Sequence, residues 1–157
     1  DSRIRRVTSG ELAGVIIAAA GLIRLGWEGR ISEYLPVEHF LPAVGQGALS
    51  IETRLGDEET AALVLPFNHV PTEQSVTAER ALLRALGGGC RAPIAALGTV
   101  TGKTLKLRGM FANPDGSNMQ SAIEEGAADK AEEIGIRLAK KLLKLRASEV
   151  IFEGKKN

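Results

Sequence analysis

The chain has 157 residues, 44% of them apolar and 25% charged, with 20 Lys+Arg against 19 Asp+Glu. That is enough apolar material for one folded domain or two small ones, and a net charge of +1 excludes a global field that would gather nucleic acid or an anionic membrane, so any anion binding must be local. A single cysteine and two histidines exclude an internal disulfide and any recognisable metal-ligand spacing, and the longest apolar run, Gly14 to Ile23, is too short to span a bilayer. The first residues resemble neither a signal nor a transit peptide, so a cytoplasmic setting without a membrane partner is expected.

The chain opens on a short cationic amphipathic helix with Ile4 and Val7 three residues apart, ended by Gly10. Residues Gly14 to Ala18, "GVIIA", read as a buried strand because they are β-branched and uninterrupted, and "AAGLIRLG" reads as a helix closing at Gly26. Helix, strand and helix are part of an α/β unit. It is incomplete alone, since a buried parallel strand needs neighbours to take its backbone hydrogen bonds, and the chain therefore reads as beginning in mid-domain. Next come an extended piece from His39 to Leu41, a turn around "GQG", an alternating strand from Ala48 to Arg54 and a helix from Asp57 to Leu65. The acidic start of that helix, Asp57, Glu58 and Glu59, complements the positive end of its dipole and calls for no acid/base role.

The composition changes at "PFNHVPTEQ", which marks a linker or domain edge and divides the chain into residues 1–66 and 67–157. A helix is expected from Thr72, as N-cap, to about Leu86, with Val76, Leu83 and Leu86 on one face, stopped by the glycines that follow. Three strands then follow, about Ile94 to Thr101, Leu105 to Ala112 and Met119 to Glu125. Their connections, "TGK" and "NPDGS", have hairpin-turn chemistry and predict an antiparallel sheet. The last helix, about Ala128 to Arg146, has an apolar stripe of Ala131, Ile134, Leu138, Leu142 and Leu145, which suits packing on that sheet in an α+β sandwich.

The lone thiol, Cys90, follows three glycines in "LRALGGGCRAP". A free thiol titrates near about pH 8.5 and becomes reactive only where a neighbouring cation or a helix N-terminus lowers that value. Arg91 favours the thiolate, while the preceding helix turns its negative C-terminal end toward the sulfur. The glycines leave room for a bulky group to approach. These residues alone leave both a buried structural cysteine and a reactive one open. A thiol redox enzyme is disfavoured because the chain has no resolving cysteine, and His39 and His69 read as surface or linker histidines.

Four blocks carry a family resemblance: "AAAGLIRLG" (Ala18 to Gly26), "LPAVGQGALSIETR" (Leu41 to Arg54), "VTAERALLRALGGGCRAPI" (Val76 to Ile94) and "GIRLAKKLL" (Gly135 to Leu143). By them the chain resembles the C-terminal half of the porphobilinogen deaminases, also called hydroxymethylbilane synthases. The resemblance extends over essentially all 157 residues, and the second and third blocks are very specific. It implies a partial periplasmic-binding-protein-like α/β domain in residues 1–66, with a return segment toward the preceding domain, and a cofactor-bearing α+β domain in residues 67–157. It also implies that Cys90 anchors a dipyrromethane through a thioether, as the primer onto which four porphobilinogen molecules are condensed into hydroxymethylbilane. The thiol would then be alkylated once, and would need room more than a low pKa.

By the same resemblance Arg3 in "SRI" and Arg24 in "GLIRLG" fall where the family binds carboxylates. Each porphobilinogen brings an acetate and a propionate, and a guanidinium grips a carboxylate through two parallel hydrogen bonds. Without the resemblance both arginines would read as a solvated helix face. Gln46 in "VGQGA" falls in a cleft motif where an amide offers both a donor and an acceptor, near an expected hinge, and Ala18 at a position whose backbone lines the same cleft. The family's catalytic aspartate belongs to an N-terminal domain with no counterpart in these residues. No catalytic residue is therefore assigned within the chain, which by itself is expected to be inactive. The "RGN" run expected just before "SRI" is also absent, whereas Gly87 and Arg91 are departures that the pattern tolerates. The contrasting reading is a non-catalytic module that binds a polycarboxylate or tetrapyrrole-like ligand without turnover.

Overall fold

The structure, a computed structural model, describes residues 2–88 and 93–153, with side chains described through residue 146. It divides into two compact units, Asp1–Pro36 and Val37–Asn157.

In the first unit the cationic opening forms helix α1 (Ser2–Thr8), and Gly10 leaves it at a φ of 77°. Helix α2 (Ala19–Arg24) ends as the glycine predicts. Gly26 takes a φ of 69°, its N–H donates to the Ile23 carbonyl, and the Trp27 N–H donates to the Leu22 carbonyl, so two of the otherwise orphaned carbonyls are paired. Between the helices the expected strand Gly14 to Ala18 is not formed. The segment belongs to no ladder and Ile16 is 63% exposed. A strand is defined by its partner, and no described residue pairs with this one.

The second unit is organised around a three-stranded antiparallel sheet in the order β1 (Ile94–Thr101), β2 (Thr104–Phe111), β3 (Gln120–Ala127). The first hairpin closes with Thr101 opposite Thr104, and Gly102 supplies a φ of 60°. The second is closed by "NPDGS": Asn113 N–H donates to the Ser117 carbonyl, and the Asp115 carboxylate accepts from both the amide and the hydroxyl of Ser117, which holds its pKa below the usual aspartate value. Along β2, Leu105, Leu107, Gly109 and Phe111 are buried and the residues between them are not. That period of two gives the sheet one apolar face.

Two helices cover that face. Helix α3 (Glu58–Val64), capped by the Asp57 side chain on the Thr60 amide at 3.0 Å, is not one of them, since no residue in it is buried. Helix α4 (Val70–Ala85) and helix α5 (Ala131–Glu153) are. The α5 stripe is as expected through Ala131, Ile134, Leu138 and Leu142, while Leu145 is 39% exposed. Gly135 makes the α4–α5 crossing close, because a Cβ there would stand 2.7 Å from that of Ala81.

Three further expectations are corrected. The N-cap of α4 is His69 and not Thr72; Pro71 sits in the first helical turn, and the Thr72 hydroxyl lies 2.8 Å from Nδ1 of His69. The buried residues of α4 are Ala78, Glu79, Ala81 and Leu82, whereas Val76, Leu83 and Leu86 are only half-buried, because two partners flank the helix and its most covered line lies between them. The alternating segment Ala48 to Arg54 forms no strand, and Leu49 is 90% exposed, since no described strand lies beside it.

Candidate functional site

The stop of α4 is set by the first glycine of the trio. Gly87 adopts a φ of 69° and donates to the Arg84 carbonyl, and the Gly88 amide donates to the Leu83 carbonyl, so the chain is turned off the helix axis just before the cysteine. Cys90 and Arg91 themselves lie outside the described residues.

Alongside α4 a groove of about 370 Å³ opens between the helix, the "VGQG" turn and the outer edge of β1. Its floor is Glu79, only 5% exposed. One carboxylate oxygen accepts from the Gly45 amide at 2.7 Å and the other from the Gly98 amide at 2.8 Å. Burial pushes the Glu79 pKa above the usual glutamate value, and the two amide hydrogen bonds oppose that shift without cancelling it. The chain before the turn is tied to the same sheet: Ala43 bridges Ala95, the Ala96 amide donates to the Pro42 carbonyl, and Arg108 Nη2 donates to the Glu38 carbonyl at 2.6 Å. On the outer edge of β1 the Ala96 amide is thus paired by a carbonyl and the Gly98 amide by the carboxylate of Glu79.

Gln46 lines this groove, exposed, and its side chain hydrogen-bonds to no described residue. Gly45 and Gly47 on either side have φ of 72° and 86°, which only glycine adopts without strain. In the first unit Arg3 lies on α1 and Arg24 at the end of α2, both exposed, and neither guanidinium pairs with a described residue; Ala18 is the exposed residue preceding α2. Guanidinium forks suit carboxylates, and so fit the polycarboxylate class of ligand. His39 is exposed and His69 is a helix-terminus residue. No group of three or more metal-ligating side chains occurs among the described residues, and no described helix is long and apolar enough to cross a membrane.

Sequence reasoning missed Glu79. The signal was present: with Val76, Leu83 and Leu86 it shares a helix face at spacings of three and four, an acid in the middle of an apolar stripe. Its partners could not be read, because both are backbone amides from distant segments.

Comparison with known proteins decides the family. Residues 1–62 match the model "Porphobilinogen deaminase, dipyromethane cofactor binding domain", and residues 73–144 match "Porphobilinogen deaminase, C-terminal domain". The chain belongs to the porphobilinogen deaminase family. It is 50% identical over 153 residues to a porphobilinogen deaminase of Geobacter metallireducens and 46% identical over 153 residues to one of Geotalea uraniireducens, each alignment covering 98% of this chain and 48% of the relative. A porphobilinogen deaminase of Brevibacillus brevis is 46% identical over 154 residues, 98% of this chain and 49% of the relative. The chain thus spans about half the length of the curated relatives it matches. Within the family frame, Arg3, Ala18, Arg24 and Gln46 fall in the part matched by the cofactor-binding model, and Cys90 falls in the part matched by the C-terminal model.

Proposed function

We propose that these residues are the C-terminal part of a transferase that condenses four porphobilinogen molecules head to tail into hydroxymethylbilane, on a dipyrromethane primer held by a thioether from Cys90. The observation that carries this reading is the match of two consecutive porphobilinogen deaminase models to residues 1–62 and 73–144, the first named for the cofactor. Two exposed guanidinium groups within the first match, neither paired with a described residue, support it, because a primer and a growing pyrrole chain present carboxylates at every ring. When bound, the dipyrromethane supplies the pyrrole carbon that the first substrate joins. The residues of this chain bind and orient it: Arg3 and Arg24 hold carboxylates, the Gln46 amide offers a donor and an acceptor at the groove, and the backbone at Ala18 lines the cleft.

In this reading residues 1–66 contribute to a periplasmic-binding-protein-like α/β domain and the return segment toward the domain before it, and residues 67–157 carry the cofactor. Segments 14–18 and 48–54 support it, since both have strand-forming sequence and neither pairs with a described strand. A companion N-terminal domain, in the same or another chain, supplies the proton-handling carboxylate and the remaining strands, so the 157 residues alone release no ammonia from porphobilinogen. The cytoplasm is the proposed setting. The contrasting reading, a module binding a tetrapyrrole-like ligand without turnover, is not favoured, because the relatives matched along the chain are named as deaminases.

Peptide mass mapping of a preparation that turns over porphobilinogen tests the anchor. The peptide containing Cys90 is expected to be heavier than its sequence mass by one dipyrromethane. An unmodified Cys90 peptide in an active preparation contradicts the proposal.

A further inference from the structure

We propose that Glu79 is a positioning residue: its carboxylate latches the Gly45–Gly47 turn to the edge of β1 and so sets where Gln46 is presented. The proposal rests on the reading of Gln46 as a ligand-binding group. Two glycines with positive φ flank Gln46, so the turn has little conformational preference of its own and must be held by its contacts. Within the turn the Gln46 amide donates to the Ala43 carbonyl and the Ala48 amide to the Gly45 carbonyl. The Gly45 amide is instead satisfied by Glu79, reached across 34 residues of sequence.

The reach depends on a second glycine. A Cβ at Gly98 would stand 2.9 Å from the Ser75 Cα, so only glycine lets α4 come near enough for Glu79, one turn beyond Ser75, to accept the Gly98 amide with its other oxygen. Each oxygen holds one donor, and no lysine, arginine or histidine contributes to the shift of its pKa. A glutamine at position 79 retains one acceptor but aims an NH2 at the other amide donor. An aspartate is one methylene shorter and spans the two donors less well.

The test is amide NMR on the 15N-labelled 157-residue chain, in wild type, E79Q and E79A. In wild type the Gly45 and Gly98 amide shifts are expected to move together through one titration step, which E79Q abolishes. In E79A the amides of residues 45–48 are expected to exchange about tenfold faster while those of Leu105 and Leu107 stay within about twofold, a local opening and not a global one. E79Q, which keeps the side-chain volume, is expected to speed Gly45 exchange less than E79A and carries the test if E79A fails to fold.

Unchanged Gly45 exchange in folded E79A or E79Q overturns the latch. Independent titration of the two amides overturns it as well. Porphobilinogen, added as the probe, is expected to shift the Gln46 side-chain amide in wild type and to shift it less in E79Q; equal shifts in both overturn the positioning role. No shift in either protein counts against Gln46 as a binding group, and the exchange rates then decide the latch by themselves.

Discussion

In the first unit none of the described residues is buried, whereas in the second Leu82, Leu105, Leu107, Ile134, Leu138 and Leu142 are completely so. Both contain segments of strand-forming sequence. Val15 to Ile17 are as β-branched as any stretch of the sheet, yet among the described residues only the C-terminal strands form a sheet, because two short hairpins bring each strand to its neighbour and α4 and α5 cover the resulting face. The difference teaches that a buried-strand pattern records a capacity for pairing, and that the partner must be supplied separately. One region carries its partners within a few residues of itself; the other does not.

The sharpest way to break the comparison is to remove the same kind of side chain from each region. Leu138→Ala empties a fully buried site between the sheet and α4 and is expected to cost about 2–5 kcal/mol in urea unfolding, while Ile16→Ala, at an exposed site, is expected to stay within about 0.5 kcal/mol. Similar losses at the two positions would mean that the first unit has a core after all.

A smaller effect is expected from Gly98→Ala. The added methyl group meets the backbone of Ser75, so α4 must move away from β1, at a cost of about 1–3 kcal/mol in the same unfolding assay. An unchanged or raised stability would show that α4 can shift freely, and would weaken the account of Glu79 as well.

The smallest effect is a pH dependence. Burial favours the protonated form of Glu79 in the folded protein, so the folded state takes up a proton before the unfolded one as the pH falls. The stabilisation from this group is fully present below the ordinary glutamate value of 4.5 and is lost as pH rises through its raised folded value. Wild type is therefore expected to gain stability relative to E79Q on acidification from neutral pH toward 4.5, and equal pH profiles for the two proteins would contradict the burial account.

Much of the second unit was legible because its signals are local. "TGK" and "NPDGS" specify their own turns, and the α5 stripe repeats at helical spacing over three turns. The glycine stops of α2 and α4 were legible for the same reason. Less legible were features that depend on distant chain. Thr72 has the chemistry of an N-cap, but its hydroxyl is engaged by His69, which takes that position. Segments 14–18 and 48–54 have the pattern of strands but not the neighbours. Among the candidate site residues, Ala18, Arg24 and Gln46 were reached through the family blocks and Arg3 through the "SRI" motif, and all four prove exposed. Glu79, inside one of those blocks, was passed over because its role lies in two backbone amides that only the folded chain brings together.

Native-state amide hydrogen exchange on the isolated chain tests the central contrast most directly. The account predicts that the amides of Val15 to Ala18 exchange at close to unstructured rates, while those of Leu105 to Phe111 are protected up to the free energy of global unfolding. Equal protection of the two segments would contradict it, because Val15 to Ala18 would then have backbone partners that the account denies them.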